Sequence, residues 1–154
     1  MFDLTSTVVI DRPRSVVYEV LTDFESFLAR WAAGPVAAQK TTSGPVGVGT
    51  RFTVTAQVGP IRVRSPYEVL IWEQQARFGG RGVAGPVRFM EEYRLDDDSG
   101  ATRLQQSIRV WPRGPFRIAE AMCRRQLQRL IPADLGRLKA LVEGEREPAQ
   151  PATP

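Results

Sequence analysis

From Gly34-Pro35 to Trp111 the apolar residues alternate with polar ones, and this period of two constrains the fold more than any other feature of the chain. Successive side chains of a strand point to opposite faces, so alternation over several neighbouring segments implies a sheet with one covered and one wet face. Turn signals divide the segments at Gly44-Pro45, Gly59-Pro60, Glu73-Gln74, Gly85-Pro86 and Asp97-Asp98-Ser99-Gly100. One segment sets Phe52, Val54, Ala56 and Val58 against Arg51, Thr53, Thr55 and Gln57. A second sets Phe89, Glu91, Tyr93 and Leu95 against Arg88, Met90, Glu92 and Arg94. A third sets Leu104, Gln106, Ile108 and Val110 against Arg103, Gln105, Ser107 and Arg109. These are antiparallel strands joined by short turns.

Helical periodicity flanks the strands. After an opening strand at Leu4–Ile10, Asp11-Arg12-Pro13 predicts a capped helix start, and Val16, Val17, Val20 and Leu21 recur at helical spacing. A second short helix is expected from Phe24 to Trp31, started by Asp23 and stopped by Gly34-Pro35. From about Phe116 to Val142 a longer apolar stripe includes Leu127, Leu130, Ile131, Leu135, Leu138 and Leu141. Pro132 lies inside it and is expected to kink it. One domain over 1–144 is predicted, followed by a polar, proline-rich, disordered tail at 145–154.

Two absences restrict the chemistry. The 154 residues contain no histidine and one cysteine, Cys123. A Ser-His-Asp or Cys-His mechanism, a His-ligated metal and a thiolate cluster are therefore excluded, and neither metal nor cofactor is expected. Any catalysis rests on carboxylates, tyrosines, arginine, lysine or ordered water. The net charge of +4 comes from 19 arginines and two lysines against 17 acids. These arginines are scattered rather than clustered with aromatics, which fits a solvated surface better than a nucleic-acid site. Arg117, Arg124, Arg125 and Arg129 on the last helix form either such a face or a stripe for an acidic partner. No apolar run approaches the ~20 residues of a membrane span, and the start MFDLTSTVVI lacks a signal pattern, so a cytoplasmic location is expected.

Four stretches carry a family resemblance: VVIDRPRSVVYEVLTDFESFLARW, GPVGVGTRF, FMEEYRLDDDSGATRLQQSI and RRQLQRLIPADLGRLKALVEG. In this order, over residues 4–144, they resemble the polyketide cyclase/dehydrase branch of the START-like (SRPBCC) superfamily. The resemblance implies an α+β helix-grip fold: a seven-stranded curved antiparallel sheet around a long C-terminal helix, with two short helices after the first strand. It also implies an apolar cavity between sheet and helix, because a strongly bent sheet cannot close-pack everywhere against one helix. Such a shape hosts many chemistries, so function must be argued from the site.

Glu91 is the sharpest candidate. Alternation places it between Phe89 and Tyr93 on the covered face, where a carboxylate loses hydration and its pKa rises. It is then either a general acid or ligand anchor, or half of an ion pair with an arginine across the hairpin. Gln106 on the facing strand is its candidate partner, and Tyr67 and Tyr93 can hydrogen-bond a ligand carbonyl or simply pack. Phe52, Phe78, Phe89, Ile108, Met122 and Gln126 complete the expected lining; Trp31, Trp72, Trp111 and Phe116 are candidates for its mouth. A reactive role for Cys123 is disfavoured without a histidine to activate it. Gly44, Gly47 and Gly49 precede a strand without Lys-Ser/Thr, so they are not a phosphate loop. These residues suggest a carrier or sensor of a hydrophobic small molecule. The alternatives are a cyclase- or dehydratase-like enzyme using Glu91 or Tyr93, and an interaction module using the sheet or the basic helix; a homodimer is left open.

Overall fold

A computed structural model describes residues 1–32, 34–58, 60–114 and 120–144. The order is β1 (Phe2–Ile10), α1 (Arg14–Thr22), α2 (Phe24–Trp31), β2 (Val36–Lys40), β3 (Arg51–Val58), β4 (Ile61–Glu73), β5 (Arg77–Ala84), β6 (Val87–Asp98), β7 (Ala101–Pro112) and α3 (Glu120–Gly144). The expected tail and the expected first turn of the last helix, including Phe116 and Arg117, lie outside the described residues.

The seven strands form one antiparallel sheet in the order β1-β7-β6-β5-β4-β3-β2. β2 to β7 follow sequence order, β3 to β7 joined by short turns and β2 to β3 by the longer connection 41–50. β1 closes the far edge by pairing with β7, Phe2 opposite Val110 and Ile10 opposite Thr102. The sheet curves around α3, which is the helix-grip fold. The alternating residues face as their period requires: Leu104, Gln106, Ile108 and Val110 are buried beneath α3, and Arg103, Ser107 and Arg109 are exposed outside.

α3 has two halves with different environments. Leu135, Leu138 and Val142 sink into the main core with Ile10, Val17 and Leu21 from β1 and α1. Each such side chain contributes roughly 1.5–3 kcal/mol through burial, so this half anchors the helix. The half before Ile131 rides higher. Its Cys123 and Leu127 are only partly buried, against a small cluster of Phe2, Ile108, Val110 and Ile131. The helix runs on through Pro132, whose ring is exposed.

The expected caps divide. Asp23 caps α2, its Oδ1 accepting from the Ser26 amide at 3.2 Å. Asp11 does not cap α1; Pro13 holds that position with an extended backbone, and its carbonyl accepts from Val16 and Val17. The Asp11 amide instead donates to Glu143 Oε1 at 2.9 Å, tying the chain before α1 to the end of α3.

Two devices shape the middle of the sheet. β4 is 13 residues long and carries a register shift between Val69 and Ile71, where one extra residue bends the strand. β5 contributes Gly80 and Gly82, which remove side chains where the rings of Tyr67 and Phe89 cross the strand. A Cβ on Gly80 would lie 2.6 Å from the Tyr67 ring and 2.3 Å from the Glu68 carbonyl; one on Gly82 would lie 2.5 Å from the Phe89 ring.

Candidate functional site

The high-riding half of α3 leaves a cavity of about 470 Å³ between itself, α2 and the inner face of the sheet. Phe24, Leu28 and Trp31 close it from α2; Phe89, Ile108 and Val110 floor it; Cys123, Leu127, Leu130 and Ile131 roof it. Its walls are largely apolar. Glu91, Tyr93 and Gln106 of β6 and β7 form a polar cluster on this space, with Ser65 and Tyr67 of β4 and Gln126 and Asp134 of α3 also on its wall.

Strand register assembles this cluster. Tyr93 pairs directly with Gln106, and Glu91 lies two residues along β6 on the same face. The Gln106 amide donates to Glu91 Oε2 at 3.2 Å and to Tyr93 Oη at 3.0 Å. Tyr93 Oη donates to the same Glu91 oxygen at 3.4 Å, long for a hydroxyl donor. Tyr67 reaches the group from β4 by crossing β5 over Gly80. Its hydroxyl is buried and makes no well-formed hydrogen bond, yet it lies close enough to Glu91 to favour the carboxylate.

Glu91 is only half-buried as a residue because part of it borders the cavity, but its carboxylate is enclosed by protein. Loss of hydration pushes its pKa from 4.5 up to about 7, against the opposing pull of Tyr67, Gln106 and Tyr93. Asp134, on α3 at the cavity wall, adds to the rise by repulsion and is itself ion-paired with Arg137. Burial and the same carboxylate hold Tyr67 and Tyr93 well above the ordinary tyrosine range, so both remain protonated donors at neutral pH. The cluster therefore places a carboxyl that titrates near neutrality beside three neutral hydrogen-bonding groups. Such a group can anchor a ligand or exchange a proton with it.

Of the sequence candidates, Tyr67, Phe89, Glu91, Tyr93, Gln106, Ile108 and Gln126 border the cavity, Gln126 as an exposed residue. Three are placed elsewhere. Met122 is 73% exposed. The inward stripe of α3 runs Cys123, Leu127, Ile131, Asp134; Met122 lies one turn before Gln126 on the adjoining row, which touches the cavity only at its exposed edge. Phe52 and Phe78 are core residues: Phe24 inserts from α2 and meets their rings at 5.3 and 5.4 Å, taking the position on the cavity wall. Among the tryptophans, Trp31 borders the cavity with its indole nitrogen buried and without a hydrogen bond. Trp72 packs between Tyr18 and Phe78, and Trp111 faces the outside of the sheet. Gly80, Phe24 and Asp134 went unrecognised in sequence, although the run Gly79-Gly80-Arg81-Gly82 within a strand is a visible sign of close approach.

A larger furrow, about 570 Å³, crosses the outer face between Arg51, Glu68, Arg81, Arg88 and Trp111. Glu68 is ion-paired there with Arg51 and Arg81, and its carboxyl is held low by them. This is a charged surface groove, whereas the inner cavity is an apolar container. Among the described residues no group of acids or cysteine can hold a metal ion, and no helix is long and apolar enough to cross a membrane.

A curved sheet gripping a helix over a largely apolar cavity is the START-like helix-grip fold. The chain belongs to the family described as polyketide cyclase/dehydrase and lipid transport, which its sequence matches over residues 1–143. No curated protein matches it in sequence. Its structure is similar to that of the Zhui aromatase/cyclase from Streptomyces sp. R1128, with TM-score 0.81, 17% identity and coverage of 97% of this chain and 98% of that one. It is also similar to a START superfamily protein from Mycobacterium smegmatis, with TM-score 0.70, 13% identity and coverage of 90% and 98%. The di-domain ARO/CYC BexL matches at TM-score 0.78 and 15% identity, over 96% of this chain and 48% of its own. At these identities the likeness establishes the fold.

Proposed function

We propose that the protein binds a hydrophobic small molecule in the cavity beneath α3, as a carrier or sensor, with Glu91, Tyr93 and Gln106 as its polar anchor. The carrying observation is the cavity itself: about 470 Å³ of largely apolar space with Glu91, Tyr93 and Gln106 clustered on its β6 and β7 side. Small-molecule sites take this form, with volumes of roughly 300–1,000 Å³ and a few placed polar groups. The family to which the chain belongs, described by cyclase, dehydrase and lipid-transport activities, supports the same reading.

Titration with the neutral fluorophore N-phenyl-1-naphthylamine tests it. The wild-type protein is expected to bind the probe saturably at one site. Ala56→Trp, which places an indole at the cavity wall, is expected to abolish binding. Equal binding by both proteins would put the probe elsewhere and overturn the reading.

One observation favours a second reading, a cyclase- or dehydratase-like enzyme. A carboxyl titrating at about 7 is suited to take a proton from a substrate carbon or oxygen and return it at neutral pH. In that reading Glu91 moves the proton, Tyr93 or Tyr67 hydrogen-bonds the carbonyl, and the apolar walls fold the substrate. The similarity in fold to the Zhui aromatase/cyclase is consistent with it.

A further inference from the structure

The charge of the cavity wall is opposite to that of the whole chain. The protein has 21 basic residues and a net charge of +4, yet among the described residues no arginine or lysine lines the cavity. Two carboxylates do, Glu91 from β6 and Asp134 from α3. Asp134 has a cation in Arg137 at the helix surface. Glu91 has none within ion-pair distance among the described residues; its hydrogen-bond partners are Gln106 from β7 and Tyr93 from β6, both neutral. Tyr67 from β4, 4% exposed, adds a buried hydroxyl beside Glu91 that makes no well-formed hydrogen bond, leaving its oxygen free to accept. Tyr67, Tyr93, Phe89 and Trp31 line the same space with their rings, and Cys123 on α3 is the remaining titratable group there among the described residues.

We infer, building on the cavity-binding reading, that the ligand is an apolar molecule bearing a protonated amine, and that its ammonium is the missing counter-charge of Glu91. An ammonium donates up to three hydrogen bonds and accepts none, so it can use Glu91 and the Tyr67 oxygen together. Aromatic faces attract a desolvated cation as well. A carboxylate ligand such as a fatty acid meets the reverse situation: it enters a low-dielectric space beside the Glu91 carboxylate, where no arginine or lysine among the described residues lines the wall. The cavity therefore selects hydrophobic amines and rejects hydrophobic acids.

Three probes with one aromatic body isolate the charge: 2-naphthylmethylamine, 2-naphthylmethanol and 2-naphthoate, titrated calorimetrically into the wild-type protein and Glu91→Gln at pH 8. Wild type is expected to bind the ammonium about tenfold more tightly than the alcohol, as for one charge-assisted hydrogen bond, and naphthoate most weakly. In Glu91→Gln the preference for ammonium over alcohol is expected to disappear. Alcohol or naphthoate bound by wild type as tightly as the ammonium would overturn the inference and leave the cavity reading standing. An unchanged preference in Glu91→Gln would do the same. Binding of none of the three would overturn both.

Discussion

Glu91→Gln is expected to stabilise the ligand-free protein at pH 8 by about 3 kcal/mol and to lose most of that gain at pH 5. Burial raises the carboxyl from 4.5 to about 7, and at about 1.4 kcal/mol per pH unit the ionised form costs the folded state about 3 kcal/mol. Below pH 4.5 folded and unfolded chains both hold the proton, and the cost is absent. Between 4.5 and about 7 the folded state keeps a proton that the unfolded state has released, so stability falls as pH rises. Above about 7 the full cost is present. Glutamine preserves the shape and the acceptor oxygen for Gln106 and Tyr93 but carries no charge. Chemical denaturation of both proteins from pH 5 to 8 measures the difference. A gain independent of pH, or no gain, would show that Glu91 ionises as an ordinary surface acid. A binding group held at a cost to stability is a common compromise at functional sites.

Gly80→Ala is expected to destabilise the protein by about 3 kcal/mol and lower Tm by roughly 10 °C, the upper range for overpacking. The new methyl would sit 2.3 Å from the Glu68 carbonyl and 2.6 Å from the Tyr67 ring. The carbonyl belongs to the paired strand β4 and cannot retreat without breaking the ladder, so Tyr67 or the strand must move. The same change at Gly47 meets nothing within 4 Å and needs no positive φ, so it should shift stability by less than about 0.5 kcal/mol. Equal melting temperatures for the two variants would refute the role of Gly80 as the passage for Tyr67.

These two positions differ in how legible they were. Glu91 was readable from register alone, because a period of two leaves no other face for a residue between Phe89 and Tyr93. The same rule placed Gln106 and Ile108 on the inner face of β7, and a cap-type aspartate before an apolar run marked the start of α2. Periodicity says which face a side chain occupies, but not what lies above it. Phe52 and Phe78 face inward as expected, yet Phe24 covers them, and that depends on how α2 sits across the sheet. Helical periodicity leaves Met122 and Cys123 as neighbouring choices for one stripe; the side of α3 that buries Ile131, Leu135, Leu138 and Val142 is the one that carries Cys123 inward. The passage at Gly80 needs the pairing of β4 with β5 and β5 with β6 at once, a long-range fact that no local pattern carries. Asp11 shows the limit of cap signatures: proline at 13 set the helix start two residues later than the acid could serve.

The most direct test of the binding site is a crystal structure of the protein with N-phenyl-1-naphthylamine. Density for the probe is expected between Phe89, Ile108 and Leu127, with its N–H toward the Glu91 carboxylate. Density confined to the outer groove beside Arg88 and Trp111, with the inner cavity unfilled, would contradict the account.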